Sequence, residues 1–337
     1  MDPVTQSVVG ATIPQVLSRP QTLLAATLCG ALSGMAPDLD TLIRSGTDPL
    51  LYLQYHRQFT HSLAFIPLGS LICAILFYFL FGRRWQISFK LTYMFCFLGY
   101  GTHGLLDACT SYGTQLLWPF SDERFAWNVV SIIDPIFTLP LLALIGIGLL
   151  RRKPLFGKIA LVWIAAYLGF GWLQNTRVEG VGYQLAADRG HTPVELSVKP
   201  SFANLLLWKV IYKVEGGYYT DAVRAGFILK VYPGAFIPAL NIERDLPWLD
   251  PNSQQADDLK RFEWFSRGYL AMSPDNPYRV TDMRYSLVPN EGNGMWSIWF
   301  DPQADKKSHV RITPDRDTTQ PKRDKFARML RGEPFIE

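Results

Sequence analysis

The sequence predicts an α-helical polytopic membrane domain over residues 1–175. A smaller soluble domain, β-rich or α+β, follows over 176–303, and a charged, loosely ordered tail occupies 304–337. Three observations carry this division. Residues 1–173 hold 11 Lys/Arg and 8 Asp/Glu, whereas 174–337 hold 22 and 21. The first half contains uncharged apolar runs approaching the roughly 20 residues that cross hydrocarbon, enough for about four or five spans. The second half instead shows short β-prone runs separated by Gly, Pro and Asn turns.

The elements follow in order. Residues 20–37 are uncharged but rich in Ala, Gly, Ser and Thr, which makes a weak span or a packed helix shielded by others. Residues 63–81, LAFIPLGSLICAILFYFLF, are uncharged over 19 positions. Residues 91–106 form a second strong candidate, interrupted by His103. A third runs from about Ile132 to Leu150, with Asp134 and Pro135 reading as an N-cap followed by Pro at the first helical position. A fourth covers Leu155 to Leu173, with Lys158 near one end where it can snorkel. In the second half YYTDAV, AGFILKVY and MWSIWF are the strand candidates, and the tail from Ala304 is poor in large apolar residues.

Basic residues set the expected orientation. Arg83, Arg84 and Lys90 fill one short loop, and Arg151, Arg152, Lys153 and Lys158 fill another, so both are expected on the cytoplasmic side. The loop 108–131 and the soluble domain then fall on the outer face. The aromatics of SYGTQLLWPF suit an interfacial belt. The N-terminus lacks a basic leader and a small-residue cleavage site, so it is expected to be retained.

Composition excludes some classes. The net charge of +4 carries no basic tract or aromatic–basic interleaving, so nucleic acid is not an expected partner. Cys29, Cys73, Cys96 and Cys109 have no metal-binding spacing and read as small hydrophobes.

Six residues at the ends of apolar segments carry the chemistry: Asp38 and Asp40 in PDLD, His56 and His61 in HRQFTHS, and His103 and Asp107 in HGLLD. Ionisable groups at membrane depth are costly, and they mark function by default. All six fall on the outer face in this topology. His103 and Asp107 are four apart on a helix and share a face. His56 and His61 are five apart, so the chain is expected to turn between them, with Thr60 or Ser62 near the next helix start. Asp38 and Asp40 follow Pro37 in an expected extended segment, one of them a direct ligand. Mixed imidazole and carboxylate donors suit Zn²⁺, Mn²⁺ or Fe²⁺. Arg57 either neutralises a substrate anion or pairs with Asp38 or Asp40, and Arg124 is open to the same two readings. His191 and His309 read as surface residues.

The segments DPVTQSVVGA, GMAPDLD, HRQFTHS, HGLLDACTSYGTQLLWPF and IIDPIFTLPLL occur in an order that resembles the YdjM-like family, over about residues 1–175. Members are membrane-bound proteins classed as metal-dependent hydrolases. The resemblance implies a bacterial inner-membrane protein with a metal site built from Asp40, His56, His61, His103 and Asp107. Relatives carry His near the position of Gln6, where this chain departs from the pattern.

The leading expectation is a hydrolytic metal site at the outer membrane face, with Zn²⁺ the first choice of metal. Asp40, His61, His103 and Asp107 are the favoured ligands, with His56 a fifth ligand or the general base and Arg57 expected to neutralise an anionic substrate group. Membrane lipids are the expected partners, and the substrate is a lipid, a lipid-linked ester or phosphoester, or another small molecule. Two alternatives stand beside this: a binding or regulatory membrane protein with a structural metal, and an ion- or proton-coupled transporter.

Overall fold

A computed structural model describes residues 1–314 and 317–334. Contacts along the chain divide it into two units. The first comprises Met1–Ile43, Tyr55–Leu173 and Phe202–Asn204, and the second Arg44–Gln54, Gln174–Ser201 and Leu205–Glu337. The segment Arg44–Gln54 thus belongs with the C-terminal unit, an assignment for which the sequence carries no signal.

The first unit is helical. Its helices are α1 (Pro3–Leu17), α2 (Leu23–Met35), α3 (Leu51–Tyr55, which ends at its edge), α4 (Ile66–Phe77), α5 (Phe89–Ala108) and α6 (Pro135–Arg151); α7 (Leu155–Asp188) begins in it. Their starts follow from local chemistry. Asp2, Ser62, Ser88 and Asp134 supply side-chain caps to α1, to the turn leading into α4, to α5 and to α6. Asp134 accepts from Ile136 N at 3.1 Å and Phe137 N at 3.2 Å with Pro135 behind it, the capping role its sequence context implies. Helices α1 and α2 cross so closely that a Cβ on Gly10 would lie 2.6 Å from the Gly30 carbonyl oxygen. Small residues permit this approach and polar ones glue it, the packing expected where lipid removes the hydrophobic drive. The four cysteines are free and buried; Cys29, Cys73 and Cys96 fill an apolar cluster with Ala26, Phe77 and Phe95.

Among the described residues two helices are long and apolar enough to cross a membrane, Leu63–Gly82 and Leu155–Asp188, with Pro135–Arg151 a shorter apolar one. This is fewer than the four or five spans expected. The reason lies in the residues: α2 has only 13 positions, and α5 carries Lys90, His103 and Asp107 among its 20. Only 28 % and 22 % of the two apolar stretches is buried within the chain. Leu68, Ile72, Phe79, Val162 and Trp172 are instead exposed, more contiguous apolar surface than a water-soluble protein usually shows.

The second unit contains two antiparallel sheets. The first is ordered β1 (Glu195–Pro200), β2 (Leu207–Val214), β3 (Gly217–Ala225), β4 (Leu229–Tyr232), with β5 (Phe236–Pro238) also on β3. After α8 (Ile242–Asp245) and α9 (Gln254–Ser266) comes the second sheet, ordered β6 (Leu270–Ser273), β7 (Asn276–Asp282), β8 (Trp296–Trp299), β9 (Arg311–Pro314), and then α10 (Gln320–Arg331). YYTDAV and MWSIWF lie within or across β3 and β8, and AGFILKVY forms the β3–β4 hairpin. Ile211 and Tyr218 of the first sheet pack on Ala271 of the second with Tyr269 and Met283.

The charged tail is a correction. Rather than lying loose, it supplies β9, paired to β8 from Trp296↔Pro314 to Trp299↔Arg311, and α10, whose Met329 is buried against Leu207, Ala222 and Tyr232. Its polarity misled because one apolar stripe suffices to dock an amphipathic helix. Lys322 and Lys325 also close on Glu291.

Lys199 and Lys209 face each other across β1 and β2. Burial pushes each ammonium down to about 7. The unfolded chain keeps ordinary lysines near pKa ~10.4, so between pH 7 and 10 it binds more protons than the folded one, and stability rises with pH across that window. Thermal unfolding of the intact chain, followed by the β-sheet circular dichroism signal, is expected to shift upward from pH 7 to 9. Lys209→Met should flatten that rise, and an unchanged slope would count against a titrating Lys209.

Candidate metal centre

The centre lies within the first unit and is built from three short pieces of chain. After α2, residues Ala36–Leu42 form a 3₁₀ turn that carries Asp38 and Asp40. The turn replaces the extended segment expected after Pro37. With about three residues per turn, it sends the two carboxylates in different directions. Arg57 adopts φ 65°, and a 3₁₀ turn over Phe59–His61 then brings His61 inward. His103 and Asp107 project from one face of α5, four residues apart. Gly104 lies between them, so close to the segment below that any Cβ there would enter the His61 carbonyl oxygen.

Four donor atoms converge. His61 Nε2 and His103 Nε2 are 2.9 Å apart, with ring centroids 4.5 Å apart. Asp38 Oδ1 lies 3.5 Å from each. Asp107 Oδ2 is 3.3 Å from His61 and 3.7 Å from His103. Ligands about 2.0–2.1 Å from a tetrahedral Zn²⁺ sit about 3.3–3.4 Å from one another, and the five separations bracket that value. Asp107 Oδ2 is buried beside Arg57 Nε, 2.9 Å away, so a protein cation already lies against one side of it. Burial opposes a charge on His61, yet the carboxylates of Asp107, Asp38 and Asp40 raise its pKa to about 10. The quartet favours positive charge at its middle, and its residues fit a divalent metal ion.

The surrounding groups orient the donors. His103 Nδ1 lies 2.6 Å from the Gly34 carbonyl oxygen, so Nδ1 carries the proton and Nε2 keeps its lone pair toward the centre. Asp40 Oδ2 lies 3.2 Å from His61 Nδ1 and accepts from Thr60 Oγ1 at 2.8 Å and Arg57 N at 3.1 Å. Its Oδ1 meets His56 Nδ1 at 2.8 Å. Asp40, the carboxylate favoured from sequence as a ligand, thus sits behind two imidazoles, while Asp38 stands in the quartet. A second triad of Asp40, His56 and His61 shares His61 with the quartet. Groups in Asp40's position typically contribute 10–100-fold to metal affinity; Asp40→Asn is expected to weaken binding by that order in a chelator competition, without abolishing it.

Arg57 pairs with neither carboxylate of PDLD through its side chain. Its Nε lies 2.9 Å from Asp107 Oδ2, its Nη1 donates to Thr110 Oγ1 at 3.0 Å, and its guanidinium lies over Tyr112, 4.7 Å from the ring centroid. Gln6 Nε2 donates to Asp107 Oδ1 at 2.9 Å, an oxygen the Met1 amine also contacts. Arg124 donates to the Gly113 carbonyl oxygen, and its guanidinium also lies over Tyr112, 5.4 Å from the ring centroid. Gly34, Thr60 and Tyr112 escape the sequence reading of the site, whereas Gln6, singled out there, contacts Asp107; the Gly34 carbonyl leaves no trace in a side-chain pattern.

His191 lies against Tyr212 at 3.1 Å. His309 joins Asp48 and Asp258 in the second unit, half-buried rather than on the surface. There Arg261 donates to both carboxylates, so a protein cation already balances that group.

A helical unit with exposed apolar spans and a buried Asp/His quartet defines a membrane protein able to hold a metal ion. The chain matches the family described as YdjM inner membrane protein over residues 1–178, and it belongs to that family. It is similar to the uncharacterized protein YfhP of Bacillus subtilis, 28 % identical over 300 residues, covering 85 % of this chain and 87 % of the relative. It is also similar to the inner membrane protein YbcI of Escherichia coli, 35 % identical over 108 residues, 31 % of this chain and 60 % of the relative. No solved structure matches.

Proposed function

We propose that the chain is a multi-pass inner-membrane metal-dependent hydrolase. In this reading α2, α5 and α6 join the two apolar helices as about four or five spans, and the site and the C-terminal domain face the periplasm. Asp38, His61, His103 and Asp107 would hold the ion. Four mixed N and O donors at tetrahedral separations favour Zn²⁺, with Mn²⁺ or Fe²⁺ as substitutes. The observation that carries the reading is the unequal burial of the quartet: the Asp38 side chain is 21 % exposed, while His61, His103 and Asp107 are fully enclosed. An exposed fourth donor that yields to water would leave three enclosed donors and one exchangeable position, as substrate-accessible centres have.

When bound, such an ion lowers the pKa of a water and polarises the scissile bond. His56 would take the water's proton. Its side chain is 17 % exposed, and Asp40 Oδ1 holds its Nδ1 proton, leaving Nε2 as the base. Burial lowers its pKa from the usual imidazole value, so it is neutral at pH 7. Arg57 holds Asp107 in place rather than meeting substrate directly. Access from the membrane interface favours a lipid ester, or a lipid or lipid-linked phosphoester, as substrate.

The test is turnover of phosphoester and carboxyl-ester lipids by metal-loaded protein in vesicles. His56→Gln is expected to lower turnover by 10²–10⁴, the usual worth of a general base, with metal content unchanged. A second reading has its own observation. Four protein donors can close a tetrahedral ion completely, as in structural sites, which makes the chain a binding or regulatory protein. Tight metal with no turnover on any ester would select it.

A further inference from the structure

The β3–β4 hairpin ends in Gly226–Phe227–Ile228, and its two apolar side chains are bare: Phe227 is 108 % and Ile228 84 % exposed. Nearby Val223 and Ala225 are buried, so the change from core to surface is abrupt. The tip is tied to α7. Gln174 Nε2 donates to the Ala225 carbonyl at 2.6 Å and to the Leu205 carbonyl at 3.2 Å. Arg177 Nη2 donates to the Gly226 carbonyl at 3.1 Å, and its Nη1 to Gln174 Oε1 at 2.6 Å. These two α7 residues directly follow Trp172 and Leu173 in one unbroken helix, and both of those are exposed. At 1.5 Å per residue, Arg177 lies only about 6 Å beyond the apolar stretch.

We infer that the Phe227–Ile228 tip is an interfacial anchor that inserts into the headgroup–acyl boundary of the bilayer that α7 crosses. The occupant is lipid because the tip is pinned where the apolar surface of that helix ends, and because its neighbours are cationic. Arg177, Arg224 and Lys230 flank it, each half-buried and donating to a backbone carbonyl, of Gly226, Leu330 and Gly332; their summed positive charge suits an anionic headgroup layer while the aromatic and aliphatic side chains enter the acyl region. The anchor would fix the height of the β domain above the membrane. It rests on α7 being a membrane span.

The test uses the full chain reconstituted in phosphatidylcholine–phosphatidylglycerol vesicles. Phe227→Cys and, separately, Ile228→Cys carry an environment-sensitive fluorophore, with Asp257→Cys on α9 as the aqueous control; the native cysteines are buried. The expected result is quenching of the 227 and 228 probes by lipid-borne nitroxide and protection from iodide, with the reverse at 257. Iodide reaching 227 and 228 as readily as 257 overturns the anchor. Protection that disappears at one copy per vesicle assigns the tip to a second copy of the chain and overturns it equally. Protein stripped from the vesicles by carbonate would defeat the membrane reading itself, whereas retained protein with a wet tip defeats only the anchor.

Discussion

His61→Ala and His103→Ala proteins are expected to purify with less than about a tenth of the parent's metal, since a structural-type zinc site draws about 10–16 kcal/mol from its full donor set. Each substitution removes one of two imidazoles held 2.9 Å apart. It also removes an imidazole from a fully buried site, beside an Asp107 carboxylate that keeps Arg57 as its partner. A cavity left in a buried site is destabilising, so both variants should also unfold at lower temperature. Elemental analysis of the purified proteins, with circular dichroism as the folding control, reads the outcome. Folded variants that keep parental metal would remove both histidines from the ligand set.

Gly104→Ala should do nearly as much damage although it removes no donor atom. The added methyl meets the His61 carbonyl oxygen, and backbone is not free to step aside as a flexible side chain would be. Overpacking of this kind costs about 1–3 kcal/mol. The larger effect is positional: the turn Phe59–His61 must move away from α5, and ligand distances tolerate only about ±0.2 Å. Metal affinity in a chelator competition is expected to fall by at least ~10-fold, the scale of a disturbed donor shell. Gly101→Ala on the same helix, where a Cβ meets only Ile66 at ordinary contact distances, is the matched control and should bind as the parent does. Equal affinity in the two variants would mean that the α5 approach does not position His61.

The sequence makes parts of this arrangement readable and hides others for physical reasons. His103 and Asp107 are legible because helical period puts i and i+4 on one face wherever the helix packs. Asp134 is legible because capping is local. Asp38 and Asp40 are not, since an extended segment and a 3₁₀ turn are equally open to APDLDTL and only tertiary contacts decide between them. That decision moves Asp38 into the quartet and Asp40 behind His56 and His61. Arg57 shows the same limit: its partner Asp107 is fifty residues away, and no local rule selects it over PDLD. The tail shows how composition misleads at domain scale, because α10 buries Met329 and packs Phe326 and Leu330 partly against the same cluster while most of its surface stays charged. Span count fails for a related reason, as α5 spends its polar residues on the centre and loses the hydropathy that would mark it as a span.

X-ray absorption at the metal edge of zinc-loaded full-length protein tests the central claim most directly. The account predicts a first shell of nitrogen and oxygen at about 2.0–2.1 Å with outer-shell scattering from two imidazole rings. A shell of oxygen alone, without imidazole scattering, or sulfur at about 2.3 Å, would contradict it.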